Sequence, residues 1–197
     1  DLNRSGALPV EIMTSAEAIV DDVRQRGDAA VRDYCNKFDG ACPASFRVPQ
    51  ELIDEAPSMV DPEFLRALTR ARDQIRAFHE KEREESWFTT RPDGTILGVK
   101  VTPVASAAVY VPGGRAQYPS TVLMDTIPAK VAGVPRVVMV TPPQKDGSLS
   151  AYTLAAAKLA GVDEVYAVGG AQAIGAVAYG TESIPACDKI VGPGNAF

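Results

Sequence analysis

The chain has 197 residues, of which 46% are hydrophobic and 23% charged, and its net charge is −5; that is the profile of a globular protein long enough to bury a core without staples. The acidic balance gives no electrostatic reason to bind nucleic acid or an anionic membrane, and no run of about 18 apolar residues is present to span one. Cys35, Cys42 and Cys187 are an odd number without metal-type spacing, which with a start that does not read as a secretory signal points to a reducing, cytoplasmic compartment.

Thr14 and Glu17 have the spacing of a capping box and predict a helix that runs to about Arg26, with Gly27 as its stop. Asp28 then reads as the cap of a second helix with Val31, Tyr34, Cys35 and Phe38 on one face, ended by Gly40. Residues 41–49 read as a loop and 50–56 as a short helix. Asp61-Pro62 is a strong start signal, and Phe64, Leu68, Ala71, Ile75 and Phe78 follow at helical steps along a helix predicted to end near Glu85. Its other face is mixed in charge, as a solvated face is. His79, the single histidine, reads as a surface or interface residue rather than a catalytic one. Pro-Asp-Gly at 92–94 separates two β-prone runs and predicts a hairpin.

From residue 104 the chain changes character. Apolar runs at 104–111, 136–140, 163–168 and 188–191 each end in a Gly/Pro break, and helical stretches near 120–132, 149–160 and 171–179 lie between them. Strand, break, helix, strand is the pattern of a parallel sheet with crossover helices. The composition shift divides a helical arm and part of a first α/β domain (1–103) from a Rossmann-like layer (104–197).

In such sheets the carboxyl ends of the strands form the ligand crevice, and Tyr110, Gly113, Gly169, Gly170, Gln172, Gly192 and Asn195 all fall there. Paired glycines let backbone approach a ligand closely. Ser120 or Thr121 is predicted to cap the next helix, whose free N–H groups would favour an anion. The residues by themselves leave two readings open, a nucleotide site or tight turns with no ligand, because neither G-x-G-x-x-G nor a Lys-Ser/Thr phosphate loop is present. No Ser-His-acid set can be built. Cys187 reads as a core thiol, and Asp125 and Lys130 have no assigned role.

Six motifs, taken together, resemble histidinol dehydrogenase: Tyr-Val-Pro-Gly-Gly (110–114), Tyr-Pro-Ser-Thr-Val-Leu-Met (118–124), Ile-Pro-Ala-Lys-Val-Ala-Gly-Val (127–134), Val-Gly-Gly-Ala-Gln-Ala-Ile (168–174), Ala-Tyr-Gly-Thr-Glu-Ser-Ile-Pro (178–185) and Asp-Lys-Ile-Val-Gly-Pro-Gly-Asn (188–195). The resemblance implies a Rossmann-like, aldehyde-dehydrogenase-like α/β fold in a cytoplasmic homodimer. It also implies oxidation of L-histidinol to L-histidine through the aldehyde, in histidine biosynthesis, with NAD and zinc. Its NAD contacts fall on Tyr110, Gln172 and Asn195. Its zinc ligands and Glu–His acid/base pair lie past the last motif. The expectation is therefore an NAD-binding layer incomplete at its C-terminal end, with no catalytic or metal residue in residues 1–197 and no activity alone. The alternatives are a related dehydrogenase for a sulfonated diol and a non-catalytic nucleotide-binding module.

Overall fold

The computed structural model describes residues 9–40, 42–113 and 117–194. Four strands form one parallel sheet: β3 (Ser106–Tyr110), β4 (Arg136–Thr141), β5 (Glu164–Ala167) and β6 (Lys189–Val191), in the order β5-β4-β3-β6. The crossover helices are α5 (Pro119–Val131), α6 (Ala151–Ala160) and α7 (Gly170–Tyr179). Strand and helix positions match the recurrence read from the sequence. The parallel α/β layer preceded by helices is the expected fold class.

Helix placement follows from the strand order. From β3 the chain steps outward to β4 and β5, then returns past β3 to β6. Crossovers are right-handed, so reversing direction moves the connecting helix to the opposite face. Accordingly α5 and α6 pack on the face carrying Ala107, Val109, Val137, Met139 and Val165, and α7 on the face carrying Ala108, Val138, Val140 and Tyr166. Both faces are apolar along every central strand, as a doubly covered parallel sheet requires.

The helices before residue 104 add to these same two faces. On the α7 side lie α1 (Val10–Arg26) and α2 (Asp28–Tyr34), and on the α5–α6 side α3 (Gln50–Glu55) and α4 (Pro62–His79). A side chain on Gly175 would lie 3.2 Å from the Val23 Cβ, so α1 crosses α7 at that glycine. The hairpin is β1 (Trp87–Thr90) with β2 (Ile96–Val99), antiparallel as expected. Among the described residues no helix is long and apolar enough to cross a membrane.

Five local expectations are corrected. Helix α1 starts at Val10 behind Pro9, so Thr14 and Glu17 lie inside it and form no capping box; the residues from 10 onward already suit a helix, with Glu11 in the first turn. Asp28 is the first residue of α2 and does not cap it; its carboxylate instead accepts hydrogen bonds from Thr181 Oγ1 (2.5 Å) and Ser183 Oγ (3.0 Å). The second helix passes into a π-type turn over Cys35–Asp39, where Phe38 still stacks on Tyr34 (ring centroids 5.8 Å) but is left exposed at the end of the shared face. Helix α4 ends at His79, not near Glu85. The stretch 41–49 is more than a loop: Phe46 O accepts from Ala167 N (2.7 Å) and Val48 N donates to Val165 O (2.8 Å), which covers the outer edge of β5.

Candidate functional site

The carboxyl ends of β3, β4 and β5 are locked together by one proline. A Cβ on Gly113, after β3, would lie 2.6 Å from Pro142 Cγ, and a Cβ on Gly169, after β5, would lie 2.5 Å from Pro142 Cβ. Pro142 follows β4 and is wedged between the two glycine loops. Real Cβ atoms do not approach so closely, so both glycines serve close loop packing. Sequence reading placed these glycines at the strand ends but missed the wedge. The Thr-Pro-Pro break at 141–143 was the available signal.

Tyr110 ends β3, with its ring on the α7 side. Its hydroxyl accepts the Gly170 N–H at 3.2 Å, which ties the first residue of α7 to the sheet. Gly170 has φ +67, a conformation that favours glycine. Gln172 follows in the first turn of α7. It is 2% exposed, its carboxamide folds back over Gly170, and its Oε1 has no hydrogen-bond partner among the described residues. A buried, unpaired carboxamide oxygen beside a helix N-terminus is unusual. The structure thus brings Tyr110 and Gln172 together across Gly170. Asn195, like Gly114, lies outside the described residues. The chain reaches Asn195 through Gly192, whose backbone packs on Tyr110: a Cβ there would lie 2.9 Å from the Tyr110 Cβ.

Helix α5 is capped differently from the sequence reading. Pro119 is its first residue and Tyr118 precedes it, so neither Ser120 nor Thr121 is the cap; proline is preorganised for that first position. Ser150 does cap α6, accepting from Tyr152 N at 3.2 Å and donating to Gln117 Oε1 at 2.5 Å. Gln117, Thr141, Pro142 and Ser150 line a small crevice on the α6 side of the Pro142 wedge.

The remaining candidates separate from this site. His79 pairs through Nδ1 with Glu82 at 2.5 Å at the end of α4. Lys130 pairs with Asp163 at 2.5 Å. Burial pushes the Cys35 thiol up to about 12 and raises Cys187 too; neither is poised as a thiolate nucleophile. Asp39 and Asp125 are likewise raised by burial, each with an Oδ2 that has no partner among the described residues. Among the described residues no three His, Cys, Asp or Glu side chains converge as a metal site requires.

The sequence pattern of one known family covers nearly the whole chain: its family model, described as histidinol dehydrogenase, matches residues 2–197. The chain belongs to the histidinol dehydrogenase family. It is 56% identical over 181 residues to the histidinol dehydrogenase of Heliobacterium mobile, covering 91% of this chain and 42% of that protein. It is 50% identical over 197 residues to the enzyme of Methanosarcina barkeri, covering all of this chain and 45% of that one. The crystal structure of histidinol dehydrogenase from Elizabethkingia anophelis superposes with a TM-score of 0.88 at 34% identity, over 97% of this chain and 44% of that chain. The chain therefore spans less than half the length of the histidinol dehydrogenases it matches. The family is one of oxidoreductases of histidine biosynthesis.

Proposed function

We propose that these 197 residues form the NAD-binding layer of a histidinol dehydrogenase that oxidises L-histidinol to L-histidine, with Tyr110, Gln172 and Asn195 at the cofactor. The observation that carries the reading is the cluster of Tyr110, Gly170 and Gln172 at the carboxyl ends of a parallel sheet. The sheet reverses direction at β3, between β4 and β6, and such switch points are where open α/β sheets bind ligands.

The residues fit a dinucleotide. Helix α7 presents its N-terminus at the crevice, where backbone N–H groups and the helix dipole favour a diphosphate. Gly170 holds its positive φ at the start of α7, with the Gln172 carboxamide standing where a side chain would be. Tyr110 fixes that backbone through its hydroxyl, and the buried Gln172 Oε1 is an acceptor with no partner among the described residues. NAD, when bound, supplies the hydride acceptor for alcohol oxidation. Zinc does not fit the described residues, and the base that takes the hydroxyl proton is assigned to the part of a family-length protein outside this chain. A cytoplasmic homodimer belongs to the same reading. The high identity to histidinol dehydrogenases supports L-histidinol over a sulfonated diol.

The test is a chimera in which these 197 residues replace the matching part of the Heliobacterium mobile enzyme. NADH formation from histidinol is expected from the chimera and not from the 197-residue chain alone. A folded chimera without activity would overturn the proposal. Turnover by the chain alone would place the catalytic residues within 1–197.

A further inference from the structure

The β1–β2 hairpin is the least explained part of the molecule. Register pairs Trp87 with Val99 and Thr89 with Leu97 on one face, and Phe88 with Gly98 and Thr90 with Ile96 on the other. All the large side chains are exposed: Trp87 56%, Phe88 63%, Ile96 68%, Leu97 42% and Val99 44%. Neither strand carries a charged residue. A solvent-facing antiparallel strand alternates apolar with polar residues, and free edges are usually guarded by charge. This hairpin has neither device, and its composition is that of strands covered on both faces.

It is nevertheless well formed. Arg91 N donates to Thr95 O at 2.8 Å, Asp93 Oδ1 accepts from Thr95 N at 2.9 Å, and Gly94 takes φ +84 in the turn. The Phe88 ring lies over Gly98, filling the place of its missing side chain. At its base, Ser86 Oγ accepts from Val101 N at 2.8 Å. A two-stranded hairpin on its own is marginal in water, so a well-formed apolar one points to a partner.

We infer that the hairpin Trp87–Val99 is the docking site for polypeptide from the part of a family-length histidinol dehydrogenase that these 197 residues do not span, which extends it into a second, larger sheet. Two observations select this occupant. The relatives are more than twice as long, since the chain covers 42–45% of them. Among the described residues both faces of the hairpin are exposed and no further strand pairs with either edge, whereas a second copy meeting it across a twofold axis would cover a single self-complementary patch. The inference rests on family membership and length and is independent of where NAD binds.

The experiment places a photo-crosslinking benzoylphenylalanine at position 88 of the same chimera and maps the cross-link by mass spectrometry. Cross-links to residues outside 1–197 are expected. Cross-links to residues 1–197 of a second copy, or no cross-link at all, would overturn the inference. A second measurement guards against an idle probe: hydrogen exchange in β1 and β2 should be at least about tenfold slower in the chimera than in the 197-residue chain. The double variant Phe88→Lys/Ile96→Lys should remove that protection in the chimera while leaving the unfolding midpoint of the 197-residue chain unchanged. Equal exchange in both proteins would overturn the inference regardless of the activity of the chimera.

Discussion

Glu182 accepts the Asp28 backbone N–H at 2.7 Å, and its carboxylate fills the space where a side chain on Gly27 would stand. The two contact residues are 154 positions apart. This contact, with Thr181 and Ser183 on the Asp28 carboxylate, fastens the α1–α2 corner to the loop after α7. Gly27 has φ +57 and ψ −134, which a residue with a Cβ adopts only under strain. Gly27→Ala is therefore expected to cost about 1–3 kcal/mol, because it strains the backbone and displaces Glu182 together. Glu182→Gln keeps an acceptor and should cost less. Urea unfolding of the two variants checks the order; an unchanged Gly27→Ala midpoint would refute it.

The Pro142 wedge gives a test by rescue. Gly113→Ala would press its Cβ against Pro142 Cγ, an atom that Pro142→Ala removes. Gly169→Ala would press against Pro142 Cβ, an atom that Pro142→Ala retains. Each single glycine variant should lose about 1–3 kcal/mol through overpacking. Adding Pro142→Ala should restore most of the loss for Gly113→Ala and little of it for Gly169→Ala. Equal rescue of both, in a double-mutant cycle, would mean that the loops do not meet at Pro142 as described.

Two carboxylates should respond to pH with opposite signs. Burial raises Asp125 above its ordinary value, so the folded state holds a proton that the unfolded chain has already lost. Stability then falls as pH rises from the unfolded value, about 3.9, through the folded one. Asp125→Asn should stabilise the protein at neutral pH, with the gain vanishing below that window. Arg136, bonded to Glu164 at 2.9 and 3.2 Å, holds Glu164 below its ordinary value. Its contribution is present above the unfolded value, about 4.3, and is lost as pH falls through the folded one. Glu164→Gln should destabilise at neutral pH and make little difference in acid. Thermal midpoints measured from acid to neutral pH separate the two.

Tyr110→Phe removes only the acceptor of the Gly170 N–H. At the open end of the sheet that bond is worth about 0.5–1.5 kcal/mol, so the fold should survive. If the hydroxyl sets the position of the α7 N-terminus, NAD affinity in the chimera should fall by about three- to tenfold. Isothermal titration with NAD decides it, and wild-type affinity in a correctly folded variant would remove Tyr110 from the proposed site.

Much of this architecture was legible in the chain. Apolar runs ending in Gly/Pro breaks marked β3 to β6, and helical spacing marked α5 to α7. Asp61-Pro62 started α4, with Asp61 Oδ1 accepting from Glu63 N at 2.7 Å. Pro-Asp-Gly turned the hairpin. Each of these signals lies within a few residues, where periodicity, fixed proline φ and side chain–backbone bonds act directly. Tyr110 and Gln172 were placed at strand ends for the same reason.

Tertiary structure decided what no local window contains. Asp28 reads as a cap until Thr181 and Ser183 claim its carboxylate. Phe46–Val48 reads as loop until the open edge of β5 supplies backbone partners. Gly113 and Gly169 read as ligand-facing glycines until Pro142 shows what fills their missing side chains. Gln172 reads as a polar residue at a strand end where a helix starts, and only packing turns it inward with its oxygen unpaired among the described residues. Composition and periodicity determined which segments are strands and helices. The pairing of distant polar groups, set by which surfaces meet when both sheet faces are covered, determined what each residue does there.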